Sequence, residues 1–332
     1  DPEYTSFATL KENISAIYLA YNINPNDKTN IKLGLRYEYT NSNLGTVTQK
    51  NIIDRHYGKL FPSFFISRKI NDDQSVNFSY SRRINRPTFN NMAPFIFFFD
   101  PNTFVSGNAA LQPAISENIK TDFTWKKFLV SLSYSYDDNS IAGFQNRIDP
   151  KTNKQVLFAE NLNYLQTTSL VLSLPFTITN RWSMQNNVTG TWQQASTSYN
   201  GAPLKIKLGN LNLRTIQNVQ LPKNYSVELM AFYQTASLFG RYRVEPYSQV
   251  DIGIQKKFKN NNERLRLAAT NIFSTYKWVW LTNIETDNFS KTNIQFSRAT
   301  INLIYSRNFG RNTVKAARDR NTGSAEERRR VQ

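Results

Sequence analysis

Residues 29–40 read TNIKLGLRYEYT, in which Ile31, Leu33, Leu35, Tyr37 and Tyr39 alternate with Lys32, Gly34, Arg36, Glu38 and Thr40. Successive side chains of a strand point to opposite faces, so this period of two makes one apolar face and one polar, charged face. The pattern recurs along the chain. Val76, Phe78 and Tyr80 alternate with Asn77, Ser79 and Ser81, and Val130, Leu132, Tyr134 and Tyr136 alternate with Ser131, Ser133, Ser135 and Asp137. Trp182, Met184, Val188 and Trp192 follow it, as do Tyr225, Val227, Leu229, Ala231 and Tyr233, then Val250, Ile252 and Ile254. Few segments, such as ISAIYLAYNI at 14–23, fit either period.

Composition agrees with strands. The 332 residues admit two ordinary domains or one large all-β domain, and hydrophobic residues make up only 39% while aromatics reach 14%. Asn, Thr, Ser and Tyr crowd segments that also hold Val, Ile and Leu, and the mean hydropathy is −0.53. There is no cysteine and one histidine, His56, which excludes disulfides, thiolate metal sites and multi-histidine sites. No metal or other cofactor is therefore expected. The absence of cysteine fits an oxidising envelope compartment.

The formal net charge is +17. From Arg307 onward there are eight basic and three acidic residues, and the remaining excess is scattered. Nucleic-acid recognition requires a clustered patch, so no nucleic-acid partner is expected and the tail reads as a solvated or membrane-surface segment. No stretch approaches the roughly 18 apolar residues of a transmembrane helix, and DPEYTSFATL at the start has no charged leader before an apolar core.

The links between strands decide the architecture. Short links fall at NPND near residue 25, NDD at 71–73, Lys126–Lys127, TN at 179–180, PKN at 222–224 and KNNN at 259–262. Longer ones alternate with them, at 42–59, 85–114, around 149–153, 196–202, 238–245 and 274–291. A soluble sandwich, the competing reading, has no reason to place its long loops at every second connection. A transmembrane β-barrel has short turns on the periplasmic side and long loops outside. Lipid offers no hydrogen-bond partners, so such strands must close on one another.

In that arrangement Gly34, Arg36, Glu38, Ser131, Ser133, Asn187, Thr189 and Thr191 face a wet lumen or a plug, and Trp125 and Trp182, beside short turns, stand in an interfacial aromatic girdle. The reading gives about 13 strands, an odd number where bacterial barrels are usually even. The fold class is all-β: an antiparallel transmembrane barrel, of which this chain is the C-terminal part. Residues 1–309 form the barrel portion and 310–332 a basic periplasmic tail.

The stretch Phe78 to Trp125 resembles the barrel region of TonB-dependent outer-membrane receptors of the Bacteroidetes type. The matching positions are Ser79 to Arg83, Ile84 to Pro87, Ala93 to Phe95, Asp100 and Pro101, Thr103, Gly107 and Asn108, Leu111, Pro113, and Ser116 to Ile119. Ala93 departs from an asparagine in the pattern. Leu267 to Tyr276 and the ending from Tyr305 resemble the same group. The resemblance implies a 22-stranded barrel occluded by an N-terminal plug, with an inner-membrane TonB complex pulling on a segment before the plug. Neither plug nor segment is expected in these residues, so the TonB complex is a partner only through the missing N-terminal region.

The candidate binding residues lie in long links. Phe95, Phe97, Phe98 and Phe99 occur in the outer link 85–114, where an exposed apolar run is costly. Either the loop folds back and packs these rings against the rim, with Pro87, Pro94 and Pro101 fixing its turns, or part of it contacts substrate or a surface lipoprotein. Trp278 and Trp280 sit two apart, on one side if extended, as interfacial anchors or stacking platforms. Arg241 and Arg243 beside Tyr242 and Tyr247 make a candidate anion site, with a solvated loop as the plainer reading. His56 has no identifiable paired serine, and no catalytic residue is expected.

The reading is an outer-membrane receptor for an unidentified siderophore, glycan, peptide or vitamin, in contact with membrane lipid. A barrel of the same kind serving only as a structural component of a surface complex is the alternative. Protease added to intact cells is expected to cut a tag placed in residues 91–99 and to spare one at the C-terminus; recovery of the protein in the soluble fraction would count against the barrel.

Overall fold

The alternation of residues 29–40 is realised as one of the long strands of a continuous sheet. The computed structural model describes residues 7–148, 152–199, 201–258, 262–281, 291–295, 298–309 and 329–330. The chain begins with β1 (Ala8–Asn26), β2 (Thr29–Thr46), β3 (Ile53–Lys69) and β4 (Gln74–Asn85), followed by a single-turn helix α1 (Phe89–Met92). Next come β5 (Ile96–Asp100), β6 (Thr103–Ser106), β7 (Ala114–Trp125), β8 (Phe128–Asp138), β9 (Ile141–Ile148) and β10 (Gln155–Asn161). The long strands resume with β11 (Tyr164–Thr179), β12 (Trp182–Tyr199), β13 (Ala202–Leu221) and β14 (Tyr225–Gln234). The chain continues through β15 (Ser237–Phe239), β16 (Tyr242–Val244), β17 (Tyr247–Lys257), β18 (Glu263–Thr270), β19 (Lys277–Leu281), β20 (Lys291–Gln295) and β21 (Thr300–Arg307).

Among the described residues, 13 of these strands form one sheet in the order β1-β2-β3-β4-β7-β8-β11-β12-β13-β14-β17-β18-β21. Every neighbouring pair is antiparallel. The first and thirteenth strands therefore run in the same direction, and the sheet is open between them. An antiparallel closure needs an odd number of further strands between β21 and β1.

The sheet is inside out relative to a soluble protein. Leu33, Leu35, Tyr37, Leu132, Tyr134, Leu170, Leu213, Ile252 and Leu267 all point to one exposed face. The 11 residues of β8, at roughly 3.3 Å each and tilted by roughly 40°, rise about 28 Å, enough to cross the apolar band of about 25 Å of an outer-membrane barrel. At the short-turn end Trp125 and Phe128 lie 5.9 Å apart and Phe128 and Phe176 5.6 Å apart, with Lys126 in the adjoining turn. These rings occupy the girdle position, where an amphipathic aromatic sits between hydrocarbon and water.

The short and long ends alternate as the links imply, with two differences. The link at 42–59 shrinks to 47–52 because β2 and β3 stay paired up to Leu44 and Ile53, and the link at 196–202 is a turn between Tyr199 and Ala202. Ser, Thr and Asn in those stretches mark strands that rise above lipid into water, where polarity no longer signals the end of pairing. The remaining long links carry structure of their own. A sheet β5-β6-β10-β9 caps the links after β4 and β8, and a sheet β15-β16-β19-β20 caps those after β14 and β18.

A further difference concerns Glu38, expected to face a wet lumen or a plug and found 6% exposed beneath a loop of this chain. The link after β4 folds inward and covers the upper polar face of β2. Arg86 reaches Glu38 at 2.7 Å and Thr40 at 2.9 Å, and its guanidinium is itself buried. Above them Leu44, Ile53, Met92, Leu111 and Ala159 form an apolar cluster with Leu10 packed against it. Arg55 donates to the carbonyls of Leu111 and Ala110. Gly107 is required at the crossing, since a Cβ there would stand 1.8 Å from the Ala93 carbonyl oxygen. Gly107→Ala is expected to cost the loop about 1–3 kcal/mol through overpacking. Faster proteolysis of residues 86–113, with unchanged resistance of the barrel to unfolding in SDS, is the result that checks it.

Candidate functional site

The loop end of the sheet gathers the aromatic residues, and two groups of them differ in environment. Phe95 is half-buried, its ring 5.9 Å from Phe89 at 69°. Beyond it the backbone enters β5, whose side chains alternate across the strand. Phe97 is 65% and Phe99 68% exposed, and Phe98 packs on Phe104 at 6.0 Å while remaining 53% exposed. Of the two readings of this run, packing of the rings applies to Phe95, which lies against Phe89 beside the Met92 and Leu111 cluster. Phe97 to Phe99 stay largely exposed, on the last strand of their small sheet.

The second group is a continuous aromatic ladder. Trp278 and Trp280 lie on one side of β19, 6.2 Å apart. Trp280 stacks on Phe239 at 5.2 Å and on Tyr242 at 5.8 Å, and Trp278 meets Tyr247 at 6.1 Å. Tyr247 and Tyr276 each contact Phe232 at 5.8 Å, which carries the ladder down onto the inner side of β14. Offset aromatic pairs of this kind contribute about 0.5–1.5 kcal/mol each beyond their burial. Phe232, Phe239 and Tyr276 were not singled out from the sequence; the inward parity of Phe232, opposite to Tyr233, is the signal that marks it.

Arg241 and Arg243 do not form a joint anion site. Arg241 is buried: its Nε stands 2.8 Å from Glu160 Oε1, and its Nη2 donates to the Asn146 carbonyl at 2.8 Å. Its backbone N–H donates to Gln145 Oε1 at 2.9 Å, and the Tyr242 hydroxyl donates to the Phe144 carbonyl at 2.7 Å. These bonds join β9 and β10 of one small sheet to the start of β16, and the turn before it, in the other. Arg243 stays at the surface, 3.2 Å from Glu245. Nothing local marks Gln145 or Glu160, because their pairing with Arg241 spans roughly 80–100 residues of chain and two separate links.

Burial raises the pKa of Glu160 above the ordinary carboxylate range, with the Arg241 and Arg147 charges only partly offsetting that effect. His56, on exposed β3, has its ring nitrogens 2.7 Å from Asn41 Oδ1 and 3.1 Å from Asp54 Oδ1. Among the described residues no group of acidic or histidine side chains is arranged to hold a metal ion. An open pocket of about 540 Å³ at the inner wall is lined by Arg36, Glu38, Arg83, Arg86 and Arg330. Arg330 donates to the Pro87 carbonyl at 2.9 Å and pairs with Glu12; residues 310–328 of the expected tail lie outside the described residues.

A family model described as the outer membrane protein beta-barrel family matches residues 1–309. Among proteins of curated function none matches the sequence. Among solved structures, the ferric-catecholate import receptor Fiu from E. coli K12 superposes with a TM-score of 0.58 at 14% identity, over 91% of this chain and 45% of that one. The siderophore receptor PirA from Acinetobacter baumannii gives 0.52 at 18%, over 79% and 42%. PirA from Pseudomonas aeruginosa gives 0.51 at 14%, over 81% and 55%. At these identities the likeness concerns the fold, and the chain spans about half the length of each receptor.

Arg241→Ala leaves Glu160 and Gln145 buried without their donor and is expected to loosen the junction of the small sheets by about 3–5 kcal/mol. The raised pKa means that the folded loop holds the Glu160 proton more tightly than the unfolded chain does. Its contribution is fully present below the ordinary glutamate pKa and fades as pH rises through the folded value. Without Arg241 that pKa rises further, so the loss is expected to be greatest at neutral pH and relieved on acidification. Proteolysis of the 139–163 link at a series of pH values measures it.

Proposed function

Because the chain belongs to the outer membrane protein beta-barrel family, we propose that it is the barrel portion of a TonB-dependent receptor that takes up a ligand across the bacterial outer membrane. The observation that carries this reading is the inside-out sheet: 13 antiparallel strands with one apolar exposed face and two open edges running in the same direction. Such edges are untenable in lipid, where each unpaired backbone group costs several kcal/mol. Further strands must close the barrel, and nine of them would complete the roughly 22-stranded plugged class.

In this arrangement β21 ends at the short-turn, periplasmic side, and the aromatic ladder stands at the outer mouth. Trp278 and Trp280, backed by the buried Tyr242 and with Arg243 at the edge, are the surface on which an incoming ligand is sorted, Arg241 holding the ladder in place from beneath. The plug and the segment that engages the inner-membrane TonB complex belong to the rest of the polypeptide. The ligand is of the kind whose rings or flat faces stack on tryptophan. Catalysis has no part in this reading.

The experiment is envelope fractionation of cells making the full-length protein, followed by crosslinking to TonB with and without a protonophore. The expected outcome is an outer-membrane protein that migrates faster on SDS gels when unheated and forms a TonB complex whose yield changes at least several-fold when the proton gradient is collapsed. A heat-modifiable outer-membrane protein with no TonB complex would assign the chain to a structural role in a surface assembly. A soluble protein would remove the barrel reading altogether.

A further inference from the structure

The end of the chain lies far from the point at which β21 leaves the sheet. β21 stops at Arg307, opposite Glu263 and beside the short link at 259–262, so the chain departs from the short-turn end. Arg330 is found towards the opposite end, on the inner side of the sheet. Its Nε and Nη2 donate to the Pro87 carbonyl at 3.1 and 2.9 Å, its Nη1 pairs with Glu12 Oε2, and its Nη2 reaches Glu12 Oε1 at 3.4 Å. Pro87 opens the long link after β4, and Glu12 stands opposite Ser42, on the inward parity of Glu38 and Thr40. The 19 residues from 310 to 328 can reach roughly 60 Å at about 3.3 Å each. That is twice the rise of about 30 Å made by the 12 residues of β4 at a tilt of roughly 40°.

We infer that the inner-wall pocket under the 85–114 link is a docking site for a guanidinium, and that the chain's own C-terminal end fills it, fastening the link to β1 from within. The acceptors match an arginine's fork. Glu12 offers two carboxylate oxygens and Pro87 a carbonyl, and a planar guanidinium meets all three at once, whereas a lysine ammonium is a point charge without that geometry. The contact is enclosed: the Arg330 and Glu12 side chains are 13% and 15% exposed, and Pro87 is buried. General charge attraction does not bring the tail here, since Arg36, Arg82, Arg83 and Arg86 line the same pocket. Glu38 is already held by Arg36 at 2.6 Å and by Arg86 at 2.7 Å, and Glu12 is the carboxylate that takes the charge of the tail. An enclosed carboxylate stripped of its cation is a costly group, so Glu12 gives the docked end a reason to stay. The result is a double fastening: Arg86 ties the start of the link to β2, and Arg330 ties the next residue, Pro87, to β1.

The contact does not depend on how the sheet closes, and the test reads the two separately. A benzophenone amino acid replaces Asn85, an exposed residue that lines the pocket, in the full-length protein in living cells. The cells are irradiated, and the purified product is digested with chymotrypsin, which leaves residues 310–332 in one piece because no aromatic or leucine follows Phe309, and mapped by mass spectrometry. Heat-modifiability of the same protein on SDS gels reports barrel closure. The expected result is a crosslink within one polypeptide from position 85 to residues 326–332. Its yield falls at least fivefold with Arg330→Glu and with Glu12→Arg, and less with Arg330→Lys, while heat-modifiability is kept. Crosslinks that map only elsewhere in the polypeptide or to another protein, no crosslink at all, or a yield unmoved by Arg330→Glu would overturn the docking and leave the barrel standing. If the unsubstituted protein is not heat-modifiable, the closed-barrel reading fails, and the crosslink to residues 326–332 still decides the docking.

Discussion

Backbone hydrogen bonding without water is the constraint on which the rest of this structure depends. A strand in hydrocarbon has nowhere to place its N–H and C=O groups except on another strand, and 13 of the described strands pair into one ladder. The same constraint explains the chemistry of the two faces. Leu33, Leu35 and Leu132 can point outward because their surroundings are lipid, while serine, threonine and asparagine point inward at little cost. It also makes the edges at β1 and β21 the least satisfied feature of the molecule.

Above the membrane the constraint relaxes and a different interaction takes over. The Arg86–Glu38 pair is buried, and a buried pair is weak evidence for stability yet strong evidence for a fixed position, since removing either partner strands a charge. It fastens the start of the long link to the inner face of β2. Met92 and Leu111 then fill the mouth over Leu44, so the upper barrel is closed on this side by its own loop. The Arg241–Glu160 pair does the same for the two small sheets. Both arginines that the motif or the loop composition brings forward are therefore structural fasteners, which frees the neighbouring aromatics to face the mouth.

That division bears on function. In the proposed receptor the mouth would need a rigid, flat, amphipathic surface, and the ladder from Phe232 to Trp280 has its rings already packed on one another. Phe97 and Phe99 of β5 are different in kind, being largely exposed.

The period of two in residues 29–40, the alternation of short and long links and the absence of cysteine were enough to determine an all-β chain with an apolar outside, because side-chain parity along a strand is a local property. The placement of Trp125 at the girdle and of Trp278 and Trp280 on one side of a strand was legible for the same reason. What only the tertiary structure decided are contacts between distant segments: that Glu38 lies beneath Arg86 and away from water, that Arg241 is consumed by Glu160, and that Phe95 packs while Phe97 and Phe99 do not. In each case the residue type announces a need, for a partner or for cover, and the partner comes from a link dozens of residues away whose position is set by the register of the sheet between them.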